Sequence, residues 1–230
     1  MMKYVMLFLM GTIAVQGWSQ EPPASAPVDE NYLEDQFYLG VTYNLLLNKP
    51  TDITQRNLSY GIMGGIIKDI PLNDDRNFGL GIGVGYALNS YYTNLFAAEV
   101  NGEISYSGLT SSDDFKRSKL ETHVIEFPLE IRWRNSNATD YKFWRVYAGG
   151  KLGYIFEGRS KFVDDTGKTG FSNPDIKKLQ YGLMFNVGYN TWNIHIYYAL
   201  SRLLEDGVVL DTMEPIEVKP LRIGIIFYIL

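Results

Sequence analysis

His123 and His195 are the only two histidines, and the chain has no cysteine. An imidazole near a serine and a carboxylate would suit acyl transfer or lipid hydrolysis. His195 and Ser201 share the parity of one alternating run. Along an ideal strand their spacing is about 20 Å, far beyond a hydrogen bond. His123 has Glu121 at the same parity, which reads as a solvated pair near a loop. The lack of cysteine excludes thiol catalysis, disulfides and a lipid-bearing cysteine. Asp113-Asp114 and Asp164-Asp165 would touch Ca²⁺ only loosely, and no spacing matches a metal cluster. Gly64-Gly65 and Gly149-Gly150 are not followed by the helix that a phosphate loop requires. No catalytic, metal or cofactor site is therefore expected.

The charged residues are better ordered than these candidates. Glu126, Glu130, Arg132 and Arg134 share one parity over 120–134. Arg145, Lys151 and Glu157, with Tyr147 and Arg159, share one over 143–159. Asn186, His195, Tyr197 and Arg222 extend the set. Opposite charges on neighbouring strands predict a paired network, because unpaired charge away from water is costly.

Strands must position these residues. Phe78, Leu80, Ile82, Val84, Tyr86 and Leu88 alternate with Gly79, Gly81, Gly83, Gly85, Ala87 and Asn89. Only the two-residue period of an extended strand gives that pattern a meaning. Eight such runs are expected: 36–47, 58–70, 78–91, 120–134, 143–159, 179–190, 192–201 and 219–230. Short and long connections alternate between most of them, and most runs are long enough to cross a bilayer at a tilt. The fold expected is all-β, an eight-stranded antiparallel up-and-down transmembrane barrel over 36–230.

Aromatic residues mark the strand ends. Phe37, Phe78, Trp133, Trp144, Tyr189, Trp192 and Phe227 fall at the short-turn ends. Tyr43, Tyr60, Tyr86, Tyr154, Phe156, Tyr181 and Tyr198 fall toward the long-loop ends. Two girdles on the apolar parity are expected where that face meets lipid. A lipocalin-like soluble barrel would instead turn the apolar face inward. The full-length apolar faces, their aromatic ends and the alternating loops oppose it. Eight strands leave room only for side chains, so the lumen should be plugged. Small residues on the third run, with Gly61 and Gly65, leave space for long Arg and Glu side chains. Pro128 cannot donate to a ladder and marks a bulge or distorted edge. A local bend that helps the barrel curve is expected, and a gap in strand pairing that admits a partner is the alternative.

Met1-Met2-Lys3, the apolar run to Val15 and Gly17-Trp18-Ser19 read as an export signal over 1–19. An N-terminal anchor is the alternative, but the run is short for a span. Residues 20–35 are rich in Pro, Ala and acid, and read as a disordered periplasmic lead-in. The whole chain has 21 Lys and Arg against 26 Asp and Glu, a net charge of −5. Losing Lys3 with the signal makes the balance more acidic, which argues against nucleic acid as a partner. An outer-membrane protein with both termini periplasmic is expected, with outer-membrane lipid as one partner.

The segment Ile125-Glu126-Phe127-Pro128-Leu129-Glu130-Ile131-Arg132-Trp133-Arg134 resembles a strand of the PorT-like outer-membrane β-barrel family of Bacteroidota. The glycine-alternating strand, Tyr147-Ala148-Gly149-Gly150 and Leu221-Arg222-Ile223-Gly224-Ile225 are similar to that family too. The resemblance implies a barrel without catalytic residues, and a possible setting in type IX secretion. The function expected is a non-enzymatic structural or accessory subunit of an envelope complex, in secretion or outer-membrane protein assembly. Envelope partners would dock on the long loops 91–118 and 204–218. The alternatives are a small channel, or a surface adhesin or ligand binder acting through those loops.

Overall fold

The computed structural model describes residues 35–55, 57–110, 112–135, 143–190 and 192–229. The expected export signal, the lead-in up to residue 34, the short connection at 136–142 and Thr191 lie outside the described residues. The described residues form eleven strands: β1 (Asp35–Leu47), β2 (Tyr60–Pro71), β3 (Phe78–Thr93), β4 (Leu95–Val100), β5 (Glu103–Gly108), β6 (Arg117–Arg134), β7 (Trp144–Val163), β8 (Lys168–Ser172), β9 (Leu179–Tyr189), β10 (Trp192–Ala199) and β11 (Lys219–Ile229).

Eight of them close an antiparallel barrel in the order β1-β2-β3-β6-β7-β9-β10-β11. The seam pairs β1 with β11, from Phe37 opposite Ile229 to Leu47 opposite Lys219. Closure removes the unpaired edges that an open sheet would expose. Each of the eight expected runs is one barrel strand, displaced at its ends by a few residues. The register follows from parity, because a one-residue slip would turn every apolar side chain to the wrong face. Leu39, Val41, Ile82, Val84, Leu129, Ile131, Leu183 and Ile194 point outward and are exposed.

Two local irregularities shape the β6 neighbourhood. Val124 pairs with Ile155 while His123 pairs with Glu157, so Phe156 is an extra residue on β7. This bulge reverses parity beyond it. At Pro128 no bulge forms, and the register is unbroken on both sides. The β3–β6 ladder runs from Ile82–Leu129 to Gly85–Glu126, with no pairs between. The missing N–H interrupts pairing without inserting a bulge.

The long connections fold as well. Residues 95–108 form the β4–β5 hairpin, closed by Asn101-Gly102 with both φ angles positive, +55° and +85°. Asn-Gly suits that two-residue turn because both positions tolerate the left-handed conformation. β8 lengthens the sheet beside the far end of β7. In the turn between them Asp164 Oδ1 accepts from the Thr166 hydroxyl and from the Thr166 and Gly167 amides. Those bonds hold its carboxyl below the usual carboxylate range, the Thr166 hydroxyl first among them.

Above the barrel these segments share an apolar core. Ile53, Leu95, Tyr106, Ile176, Leu204, Leu210 and Ile216 are buried together, continuous with Leu120, Val124 and Ile155 inside the barrel. The Asp211 amide donates to the Tyr106 carbonyl at 2.8 Å, and Asn94 Nδ2 donates to the carbonyls of Asp52 and Leu109. Burial pushes the Tyr106 phenol up, so it stays neutral and donates to Asp175 at 3.0 Å.

Gly224 lies at the seam, where an added Cβ would come 2.0 Å from the Val41 carbonyl oxygen and 2.6 Å from Thr42 Cα. Gly224→Val should prevent closure in most molecules. The folded, heat-modifiable band on a detergent gel should be largely lost, whereas an exposed change such as Leu39→Val should leave it intact.

Candidate functional site: the charged lumen

The inward parity of β6 delivers Glu126, Glu130, Arg132 and Arg134 into the barrel, all essentially buried. Facing strands complete two ion clusters. Near the short turns, Arg132 Nε donates to Glu130 at 2.8 Å, and Arg132 Nη1 donates to Asp69 at 3.1 Å and to Gln36 at 3.2 Å. Arg134 donates from Nη1 to the same Asp69 carboxylate and from Nε to the Arg76 carbonyl at 2.7 Å. The Arg132 guanidinium lies 4.6 Å from the Tyr147 ring centroid and 5.4 Å from that of Tyr228. Arg145 lies over Phe143 at 4.6 Å.

Higher in the lumen, Glu126 takes one bond from Lys151 Nζ and one from Arg222 Nη1, each 2.8 Å. Arg222 also donates to Asn89 at 3.2 Å and stacks 4.0 Å from the Tyr197 ring centroid. Asn186 and His195 extend the lower cluster. Asn186 donates to Glu130 at 3.3 Å and accepts from His195 Nδ1 at 2.5 Å. Arg132, Lys151 and Arg222 are thus shared between carboxylates and ring faces, as burial favours, whereas among the described residues Arg145 meets ring faces alone.

The glycine face makes this possible. An added Cβ at Gly81 would sit 2.5 Å from Arg132 Nε, one at Gly79 would sit 2.5 Å from Asp69, and one at Gly85 would meet the Tyr38 hydroxyl. The space expected beside the charges is therefore occupied by them. Around Glu126, Lys151 and Arg222 the remaining void is about 20 Å³, roughly the room of one water molecule. An open aqueous path needs far more.

Most expected lumenal residues meet there: Glu126, Glu130, Arg132, Arg134, Arg145, Lys151, His195 and Arg222. Glu157 does not. The Phe156 bulge turns it to the outward face, where it pairs with Arg159 at 2.8 Å. Arg159 is displaced from the lumen for the same reason. Asp69, Gln36 and Tyr38 belong to the lumen but were not among the expected residues. Asp69 shares inward parity with Gly61 and Gly65 on β2, a signal that could have found it. The expected girdle residues Phe78, Trp133, Trp144, Tyr154, Phe156, Tyr181, Tyr189, Trp192 and Tyr198 all point outward and are exposed. Trp144 packs on Tyr189 at 5.3 Å and Trp192 on Phe227 at 5.2 Å.

The catalytic candidates remain apart. Ser201 donates to Gln180 Oε1 at 3.1 Å, and His195 is held by Asn186. His123 Nδ1 is hydrogen-bonded to the Tyr86 hydroxyl at 2.6 Å, and its Nε2 lies 3.7 Å from Glu121. Among the described residues no three His, Asp or Glu side chains converge as metal ligands would.

A closed antiparallel barrel with a charged, filled lumen and an apolar outward face ringed by aromatics defines a transmembrane β-barrel. Residues 18–205 match the model of a family described as outer membrane protein beta-barrel domain, and the chain belongs to that family. It is an outer-membrane protein. No curated protein matches it. Among solved structures it is similar to Ail, the attachment invasion locus protein of Yersinia pestis, solved with the heparin analogue sucrose octasulfate. The identity is 13%, the TM-score 0.36, and the match covers 86% of this chain and 100% of that one. So loose a superposition adds nothing to the family assignment.

Asp69→Ala would leave Arg132 and Arg134 without their shared carboxylate. It should destabilise the barrel by about 3–5 kcal/mol, measured by urea unfolding in detergent micelles. Gly81→Val should cost roughly 1–3 kcal/mol by crowding the Arg132 guanidinium.

Proposed function

We propose that this protein is a closed, non-enzymatic barrel that holds a folded loop platform at one face of the outer membrane. In this reading it works as an accessory subunit of an envelope complex. The observation that carries the reading is the cap. The long connections bury Leu204, Leu210 and Ile216 against Ile53, Leu95 and Tyr106, and are cross-tied by backbone and side-chain hydrogen bonds. Loops that only close a barrel need no core of their own. A pre-ordered surface binds with little entropy loss, which suits protein docking. The partner surfaces are the caps over 91–118 and 204–218, placed on the cell surface with both termini periplasmic. The likeness to PorT-like sequences makes protein secretion of the type IX kind, or barrel assembly, the settings to examine.

The lumen weighs against the channel alternative, since Glu126, Lys151 and Arg222 leave almost no void between them. The isolation of His195 from Ser201 weighs against acyl transfer. A second reading is a surface ligand binder. It draws on a depression of about 360 Å³ on the cap, lined by polar and apolar residues that include Asp52, Thr54, Asn94, Leu109, Leu210 and Asp211.

A tagged copy purified from its own outer membrane in mild detergent should bring down a stoichiometric set of envelope proteins. Charge-reversing Glu214→Lys on the cap, or removing 95–108 between Asn94 and Leu109, should lower that recovery while the folded band persists. Recovery of a lone monomer would contradict the subunit reading. In planar bilayers the protein should be silent, and reproducible conductance would support the channel instead.

A further inference from the structure

The outward face of the barrel changes character above the long-loop aromatic ring. Along β6 the outward residues run from Phe127 and Ile125, through His123 and Glu121, to Lys119 and Arg117. On β7 the Phe156 bulge brings Arg159 and Lys161 onto the same face, opposite Glu121 and Lys119. Lys168 on β8 pairs with Val163, which in turn pairs with Arg117. Tyr92 lies across the β3–β6 ladder from Lys119, whose ammonium is 5.4 Å from its ring centroid. Tyr92, Arg117, Lys119, Arg159, Lys161 and Lys168 help line an open groove of about 380 Å³.

The charge on this face is not balanced. Glu121 is held by Lys119 at 2.5 Å and by Lys161, and Glu157 by Arg159. Asp165 is already engaged by Lys116. Among the described residues, Arg117 and Lys168 have no ion-pair partner. The groove therefore presents a cationic surface inside a protein whose net charge is −5. Its position is as informative as its charge. Directly below it on the same face lie Ile125, Tyr154 and Phe156, with the rings of Tyr86, His123 and Phe156 within 6.0–6.2 Å of one another. Arg and Lys stems can lie along such an apolar border while their heads reach polar groups.

We propose that this groove binds a phosphate-bearing lipid headgroup from the leaflet around the long-loop end. The acyl chains would lie on the apolar and aromatic face, and the phosphate would sit among Arg117, Lys161 and Lys168. A soluble anion would use only the charges, whereas a lipid uses the charges and the apolar face beneath them. The bulge is the device that builds the site. Without it, Arg159 and Lys161 would face the lumen. The inference is independent of whether the barrel serves as a subunit.

The test is native mass spectrometry of the full chain in nonionic detergent, titrated separately with phosphatidylglycerol and phosphatidylcholine. The wild type should retain phosphatidylglycerol about tenfold better. Arg117→Gln combined with Lys168→Gln, both away from the folded core, should reduce that retention roughly tenfold while phosphatidylcholine is unaffected. Retention should also fall as salt rises, since these cations are near the surface. Equal retention of the two lipids by the wild type, or an unchanged double variant with an intact folded band, would overturn the proposal. Full displacement of the lipid by inorganic phosphate would also overturn it, by making the groove a plain anion site.

Discussion

Charge in a lumen that all but excludes water must be paired, and this requirement orders the rest of the barrel. Arg132 and Arg134 need Asp69 and Glu130, which come from two different strands. Arg222 on β11 and Lys151 on β7 need Glu126 on β6; β7 is the paired neighbour of β6, whereas β11 meets it only across the lumen of the closed barrel. The ion clusters thus depend on a register shared by β2, β6, β7 and β11. They also demand room, and β3 supplies it by lining its inward face with Gly79, Gly81, Gly83 and Gly85. The aromatic rings of Tyr147, Tyr197 and Tyr228 then serve as walls for the cations.

Above the ions the filling changes from polar to apolar. Leu120, Val124 and Ile155 continue upward into the core made by the long connections. The barrel and its cap are therefore packed as one body on the long-loop side, and the cap closes the end that the ion network leaves open. The same β7 strand serves two faces. Its lower half contributes Arg145 and Lys151 to the lumen, and past the Phe156 bulge it contributes Arg159 and Lys161 to the outward rim. One extra residue thus separates the interior chemistry from the surface chemistry.

Strand number, parity and lumenal charge were legible in the sequence because a period of two is set locally. The alternation from Phe78 to Asn89 needs no partner strand to be read. The bulge was not legible, because the extra residue is defined only against β6, and so Glu157 and Arg159 were expected on the wrong face. Asp69 was missed although its parity with Gly61 and Gly65 was available. The β4–β5 hairpin was missed although Asn101-Gly102 is a strong turn signal. The cap could not be read at all. Ile53, Tyr106, Ile176, Leu204 and Ile216 come from four connections with no periodicity, and only the fold brings them together.

The central claim is that the buried charges act as a coupled network and not as separate residues in a polar channel. A double-mutant cycle on Glu126→Gln and Arg222→Gln, read by reversible urea unfolding in micelles, tests this most directly. Each single change should be strongly destabilising, and the double variant should recover about 0.5–3 kcal/mol relative to the sum. Additive losses, or single changes without effect, would mean that Glu126 and Arg222 are solvated independently, and the filled-lumen account would fail.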